Sequence, residues 1–240
     1  ATLILRTDDF LTDGSRMLEK CNQWGLTVLD LPTAYWHQIA SDLANNQSHN
    51  KSSLRLVIIG GEAVISDKVK SWQNSFKDNQ CPELINTYGP TEATVVVTRC
   101  KLSESLNQDS QLTQMTIGRP FDNIKIYILD SNLNPVPIGV PGELHIGGVS
   151  LARGYLNRPD LTAQKFIADP FNPGMRMYKS GDLARFLPDG NIDFLGRIDN
   201  QVKIRGFRIE LGEIETILSQ NSAVKEAIVI PQEYEAGDKR

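Results

Sequence analysis

Apolar positions change their spacing twice along this chain, and each change marks a different kind of structure. Up to residue 93 two patterns alternate. Short apolar runs predict strands at residues 2–6, 26–31, 54–59 and 83–87. Between them apolar residues recur at helical spacing. Met17, Leu18, Cys21 and Trp24 share a face over residues 13–24, and Gly25 supplies the stop. Residues 33–43 and 66–76 read the same way, with Ser66 as the expected cap of the latter. Strand and helix in alternation predict βαβ units and a parallel sheet.

After Thr94 helical periodicity becomes scarce and turn residues multiply. Residues 124–130 and 142–147 read as strands. Residues 185–187 and 192–195 flank Pro188-Asp189-Gly190-Asn191, a hairpin turn, so this half is expected to be antiparallel. One helix interrupts it at residues 159–166, with Pro159 in the first turn. A third pattern opens near Asp199: a strand at 201–205, an amphipathic helix at 210–218 carrying Leu211, Ile214 and Leu218 on one face, and a strand at 224–231. Strand, helix and strand bury little by themselves. Residues 199–240 are therefore expected to open a small domain that continues further. Ala1 begins inside a strand pattern and without Met, which predicts a natural chain that starts earlier.

Composition narrows the class. The 240 residues are 40% hydrophobic, enough for a core, and the formal charge of −4 carries no basic stripe of the kind that binds nucleic acid. Cys21, Cys81 and Cys100 are odd in number, widely spaced and without Cys-x-x-Cys, so they are expected to be small buried hydrophobes in a reducing compartment. No run approaches the ~20 apolar residues of a membrane span, and the N-terminus lacks the layout of a signal peptide. The expectation is a cytoplasmic protein with no membrane or nucleic-acid partner.

The candidate chemistry sits in a few turns. Asn86-Thr87-Tyr88-Gly89-Pro90-Thr91-Glu92 follows a buried strand, where open α/β sheets bind ligands. Its Thr can bond a phosphate oxygen, and its carboxylate can hold magnesium, a hard cation that prefers oxygen. The plain alternative is a solvated Gly-Pro turn. Gly60-Gly61-Glu62-Ala63 lets a flat ligand approach the backbone, or is a simple strand-to-helix turn. Tyr178-Lys179-Ser180-Gly181-Asp182-Leu183 offers an Asp able to accept two bonds from a ribose diol, or an ordinary turn Asp. Phe194-Leu195-Gly196-Arg197-Ile198-Asp199 leads into residues 201–215, which alternate charge about an apolar stripe, and a solvated, ion-paired helix start explains that equally well. No Gly-x-Gly-x-x-Gly follows a predicted strand, which argues against a dinucleotide oxidoreductase.

Taken together and in order, residues 86–92, 142–158, 178–183 and 196–215 resemble the signature series of nonribosomal peptide synthetase adenylation domains. These belong to the adenylate-forming superfamily with acyl-CoA synthetases and luciferases. Residues 201–213 are closer to the peptide-synthetase branch than to luciferases, and weaker similarity covers nearly the whole chain.

The resemblance implies that Asn86 faces the adenine amino group, that Tyr88 lies along the base, and that the Gly61, Glu62 and Ala63 backbone borders it. Thr91 would contact the α-phosphate and Glu92 would hold Mg2+, the two acting as catalytic residues. Asp182 would bind the ribose hydroxyls, assisted by Arg197, with Phe194 beside the nucleotide. Asp199 matches the hinge of a mobile small domain, and Lys203 and Gly206 would approach a carrier domain's phosphopantetheine arm. Residues 142–158 are expected to be mostly structural.

There are departures. Ser180 stands where Thr is usual, and Ser150 where Gly is frequent. The upstream phosphate loop ending Pro-Lys-Gly and the lysine late in the small domain are absent from the sequence, so the chain alone is expected not to adenylate at a useful rate.

The substrate pocket maps in part onto Asp30, Ile58, Gly60, Thr87, Val95 and Val96. A buried, unpaired Asp30 would be costly. It would therefore either meet a basic substrate side chain or pair with a residue outside this sequence, leaving a neutral or acidic substrate.

The expected fold is α/β with an antiparallel β unit, an incomplete adenylate-forming enzyme fold. Residues 1–198 would be the C-terminal part of a large core (1–93 parallel α/β, 94–198 mainly antiparallel) and 199–240 the start of the small domain. The expected function is ATP- and Mg2+-dependent activation of an amino acid to its adenylate, then transfer to a carrier thiol. An acyl- or aryl-CoA ligase fragment and a non-catalytic nucleotide-binding module are the alternatives.

Overall fold

The computed structural model describes residues 2–5, 14–45, 52–77, 80–102, 115–204, 207–235 and 238–239. They fall into two compact units. One comprises residues 1–86 and 101–115, the other 87–100 and 116–240.

The first unit is α/β. Helix α1 (Gly14–Trp24) buries Met17, Leu18 and Cys21, three of the four residues that its sequence spacing places on one face. Asp42 accepts a hydrogen bond from the Gly14 amide at 3.1 Å, satisfying a donor at the helix start. Strand β1 (Val28–Pro32) pairs in parallel with β2 (Leu56–Gly60), in register from Val28 opposite Leu56 to Pro32 opposite Gly60. A parallel pair needs a crossover, and α2 (Thr33–Asn45) provides it, burying Trp36, Ile39, Ala40 and Leu43. Helix α3 (Ser66–Asn74) buries Val69 and Trp72. The Trp36 and Trp72 rings lie 5.9 Å apart, and Trp72 meets Phe76 edge-on at 4.9 Å. Each such side chain is worth roughly 1.5–3 kcal/mol of burial. Strand β3 (Glu83–Tyr88) follows β2 in the sheet order.

The second unit is antiparallel. Strand β4 (Thr98–Lys101) pairs with β5 (Arg119–Pro120). Strands β6 (Ile124–Leu129), β7 (Gly142–Gly148), β9 (Arg176–Phe186) and β10 (Ile192–Arg197) form a sheet in the order β10-β9-β7-β6, with β8 (Phe166–Ala168) added to β9. Its core is Ala93, Val97, Ile117, Ile128, Leu144, Ile146, Phe166, Tyr178, Ala184 and Ile192. The β9–β10 turn closes as the sequence predicts, with Asp189 accepting the Asn191 amide at 2.9 Å. Helix α4 (Pro159–Lys165) carries its Pro in the first turn. Strands β11 (Gln201–Ile204) and β12 (Phe207–Glu210) form a hairpin leading into α5 (Leu211–Ser219). A short pair, β13 (Glu233–Glu235) and β14 (Asp238–Lys239), follows.

Three expectations change. Residues 2–5 are not a strand, and Arg6 lies outside the described residues. Ser66 is the first helical residue rather than the cap: extended Ile65 holds that position without a side-chain bond, and Asp67 puts a negative charge in the first turn instead. Residues 224–231 contain no strand; Ile228 and Ile230 are exposed, and no partner strand is available to them among the described residues. Cys21 and Cys100 are buried and Cys81 is half-buried, all as free thiols. Burial pushes Cys21 and Cys81 up to about 11.

Candidate functional site

In the first unit the βα turn after β2 carries Gly60, Gly61, Glu62 and Ala63, with Gly61 in the left-handed region at φ +97°. Asn86 is buried on β3. Asp30 and Ile58 are register partners on β1 and β2. Asp30 is exposed at the edge of the sheet, so the burial on which the argument for a basic substrate relied is not found.

In the second unit β3 ends at Tyr88 and the chain turns through Gly89-Pro90 into a 3-10 turn, Thr91–Ala93. A Cβ at residue 89 would collide with the Val95 carbonyl oxygen, so only glycine fits there. The loop is closed by the Val97 amide donating to the Tyr88 carbonyl at 2.8 Å. Thr94 and Val95 both adopt positive φ, 56° and 71°. That costs roughly 1–3 kcal/mol each for β-branched residues. The Thr94 hydroxyl donates to the Ser150 carbonyl at 2.6 Å and anchors the turn. Thr91 and Val95 are exposed, and Thr87 and Val96 half-buried.

Two buried carboxylates organise this unit. Asp182, 5% exposed on β9, accepts the Tyr88 hydroxyl on one oxygen and Arg197 Nη1 at 2.8 Å on the other. A bulge between Phe194 and Gly196 shifts β10 so that Arg197 falls opposite Asp182. Phe194 stays in ring contact with Tyr88 at 6.0 Å. Arg197 also donates to the Ser180 carbonyl at 3.0 Å, and its Nε and Nη2 pair with Asp199. The Ser180 hydroxyl donates to the Leu144 carbonyl at 2.5 Å and accepts the Asp182 amide at 3.0 Å. The hydroxyl is therefore what this position needs, and Ser provides it. Burial raises the Asp182 carboxyl above its ordinary value, against the pull of Tyr88 and Arg197.

Glu92, 6% exposed, accepts the Tyr155 hydroxyl at 2.6 Å, and Arg208 Nη1 bridges both its oxygens at 2.9 and 2.8 Å. Burial acts to raise this group too, but the Tyr155 and Arg208 bonds outweigh it and hold Glu92 below its ordinary value. Tyr155, which belongs to the stretch read as structural, and Arg208 were not singled out from the sequence. Each touches Glu92 across a long gap in the chain, and no local spacing announces such a contact. Lys203 sits on β11, and Gly206 lies outside the described residues. Among the described residues no group of three or more His, Cys, Asp or Glu could hold a metal ion. None of the described helices is long and apolar enough to cross a membrane.

The sequence model of the AMP-binding enzyme family matches residues 1–156, more than half of the chain. The chain belongs to the AMP-binding enzyme family. Relatives of this AMP-binding chain include tyrocidine synthase 3 from Brevibacillus parabrevis, 46% identical over 239 residues, covering 100% of the chain and 4% of that protein. A dimodular nonribosomal peptide synthase from Bacillus subtilis is 47% identical over 218 residues, covering 90% of the chain and 9% of that protein. Among solved structures, IdnL1 superposes with a TM-score of 0.80 at 28% identity, covering 93% of this chain and 45% of that one. NpsA-ThdA, an artificially fused Adenylation-PCP di-domain NRPS from Klebsiella oxytoca, gives 0.73 at 25%, covering 93% and 42%. The AMP-binding chain thus spans a small part of its curated relatives and a little under half of these structural ones. Its α/β fold with antiparallel sheets is the fold of adenylation domains.

Proposed function

We propose that this chain forms part of an adenylation domain that activates an amino acid with ATP and passes it to a carrier-protein phosphopantetheine thiol in nonribosomal peptide synthesis. The observation that carries the reading is the grouping of Tyr88, Phe194, Arg197 and Ser180 about the buried Asp182. A carboxylate has about four acceptor sites, and each Asp182 oxygen takes one of these two donors, which leaves room for a ribose diol. Tyr88 and Phe194 offer rings for the base. Thr91, exposed at the turn, would bond the α-phosphate.

A magnesium ion fits Glu92 in a limited way. The group is an oxygen donor on a rigid turn, and Mg2+ commonly takes one or two carboxylates plus substrate phosphates and water. When bound, it supplies neutralisation of phosphate charge. The residues themselves position and orient: Asp182 and Tyr88 fix the nucleoside, Thr91 aims the α-phosphate, and Tyr155 holds one Glu92 oxygen. Positioning and charge stabilisation are the main sources of rate in such a displacement. The substrate carboxylate attacks the α-phosphorus and pyrophosphate leaves.

In this reading residues 1–198 belong to the large core and 199–240 to the small domain, with Asp199 the hinge and Lys203 facing the carrier arm. Thr87, Val95 and Val96 border the amino-acid side chain. The relative named as a nonribosomal peptide synthase supports the reaction class, and the adenylation–PCP relative supports a carrier partner. The test is amino-acid-dependent ATP–pyrophosphate exchange by the whole adenylation domain of which this chain is part, across lysine, ornithine, arginine, glutamate and leucine. Exchange with one or two of them is expected; nucleotide binding with none would favour a non-catalytic module. Transfer to free CoA rather than to a carrier would favour a CoA ligase.

A further inference from the structure

The Glu92 carboxylate is buried, and the Tyr155 hydroxyl bonds it without supplying a charge. A buried charge without a counter-charge is expensive, so a cation is required whether or not a metal is present. Arg208 fills that role through a single nitrogen bridging both oxygens. It reaches Glu92 from β12, where its register partner on β11 is Lys203. Like charges directly opposite each other on a hairpin repel. Here Arg208 is neutralised by Glu92. The β11–β12 hairpin therefore carries two opposed cations, of which Arg208 is held by Glu92.

We propose that Arg208 stands in for the divalent cation at Glu92, so that metal and Arg208 compete for one carboxylate and metal loading releases the β11–β12 hairpin. The proposal rests on the reading of Glu92 as the metal-holding residue. The guanidinium nitrogen that bridges both oxygens fills the side of the carboxylate between them, and a metal binding on that side at ~2.1 Å from an oxygen displaces it. Tyr155 donates to Oε1 only, so Glu92 keeps its orientation through the exchange and offers Oε2. Metal arrival also strips one acid from the hairpin and leaves Lys203 and Arg208 facing each other. Occupancy at the Glu92 turn is in this way coupled to the position of the hairpin.

The probe is Mn2+, whose free concentration is read by electron paramagnetic resonance at pH 7.5 with the wild-type chain, Arg208→Gln and Glu92→Gln. Competition predicts that Arg208→Gln binds Mn2+ about tenfold more tightly than wild type, or ~1.4 kcal/mol, and that Glu92→Gln loses the site. A second readout needs no Arg208 variant: hydrogen exchange of the peptide covering 200–211 in wild type should accelerate when Mn2+ is added. Equal, Glu92-dependent affinity in wild type and Arg208→Gln, with exchange unchanged, would overturn the competition and leave the metal role of Glu92 standing. No Glu92-dependent binding in any of the three would also overturn the competition, since the metal would then reach Glu92 only with the phosphates of a bound nucleotide.

Discussion

Asp182 and Glu92 are hidden from water to the same degree, each accepts a tyrosine hydroxyl, and each meets an arginine, yet they are held in opposite directions. The difference lies in how the arginine is shared. Arg208 spans both oxygens of Glu92. Arg197 gives Asp182 a single nitrogen and turns the rest of its guanidinium to Asp199. Burial outweighs these bonds at Asp182 and is outweighed by them at Glu92. A buried acid left short of counter-charge costs stability, and such sites are where ligands bind. Glu92 behaves as a satisfied structural group until its partner is displaced; Asp182 behaves as a group waiting for donors.

The sharpest way to break this contrast is catalysis. In the whole adenylation domain, Glu92→Gln should lower kcat for ATP–pyrophosphate exchange by about 100-fold, the usual loss when a charge-stabilising group is removed. Asp182→Asn should act mainly on KM for ATP, raising it about tenfold for the loss of charge-assisted hydrogen bonds worth ~1.5 kcal/mol. Equal effects on both parameters would erase the distinction.

Stability should separate the two in the other sense. Glu92, held below its unfolded value of about 4.3, stabilises above that pH, and the contribution is lost as pH falls through its folded value. Asp182, held above about 3.9, favours folding only below that pH and opposes it once pH rises through its folded value. The unfolding free energy from urea titration at pH 7 should therefore fall by ~2 kcal/mol for Glu92→Gln, because Arg208 loses its partner; its side chain is 35% exposed, which keeps the loss below that of a fully buried pair. The Glu92→Gln loss should shrink toward pH 4. Asp182→Asn should lose nothing at pH 7.

Gly181→Ala tests the Asp182 side more gently. Residue 181 sits at φ +74°, and a Cβ there would approach Arg197 Nη2 at 2.9 Å and Asp199 Oδ2 at 3.0 Å. A loss of ~1–2 kcal/mol is expected from the left-handed backbone alone, together with weaker nucleotide binding as Arg197 shifts. The smallest effect belongs to Asp30→Asn. Because Asp30 is exposed, stability should stay within ~0.5 kcal/mol of wild type, and the exchange panel alone reads any change in amino-acid preference.

Much of the fold was legible in spacing. The faces of α1 and α2, the buried run of β2 and the Pro-Asp-Gly-Asn hairpin all follow local periodicity or turn chemistry. Residues 224–231 misled because an apolar run looks like a strand whether or not a partner strand exists. The hairpin strand Phe207–Glu210 alternates apolar and charged positions, but its charges read equally well as a helix start. At the site, Asp182, Arg197 and Phe194 could be named from a motif, whereas the bulge that brings Arg197 opposite Asp182 is a feature of register that only pairing reveals. Tyr155 and Arg208 lie 63 and 116 residues from Glu92, and contacts of that range leave no mark in the sequence around them.

The most direct measurement is thermal unfolding of wild type and Asp182→Asn, each with and without AMP at pH 7. The account predicts that AMP raises the wild-type Tm, and that Asp182→Asn unfolds at or above the unliganded wild-type Tm but no longer responds to AMP. An Asp182→Asn protein that is less stable than wild type and still shifted by AMP would contradict it, since Asp182 would then be a structural acid and the nucleotide would bind elsewhere.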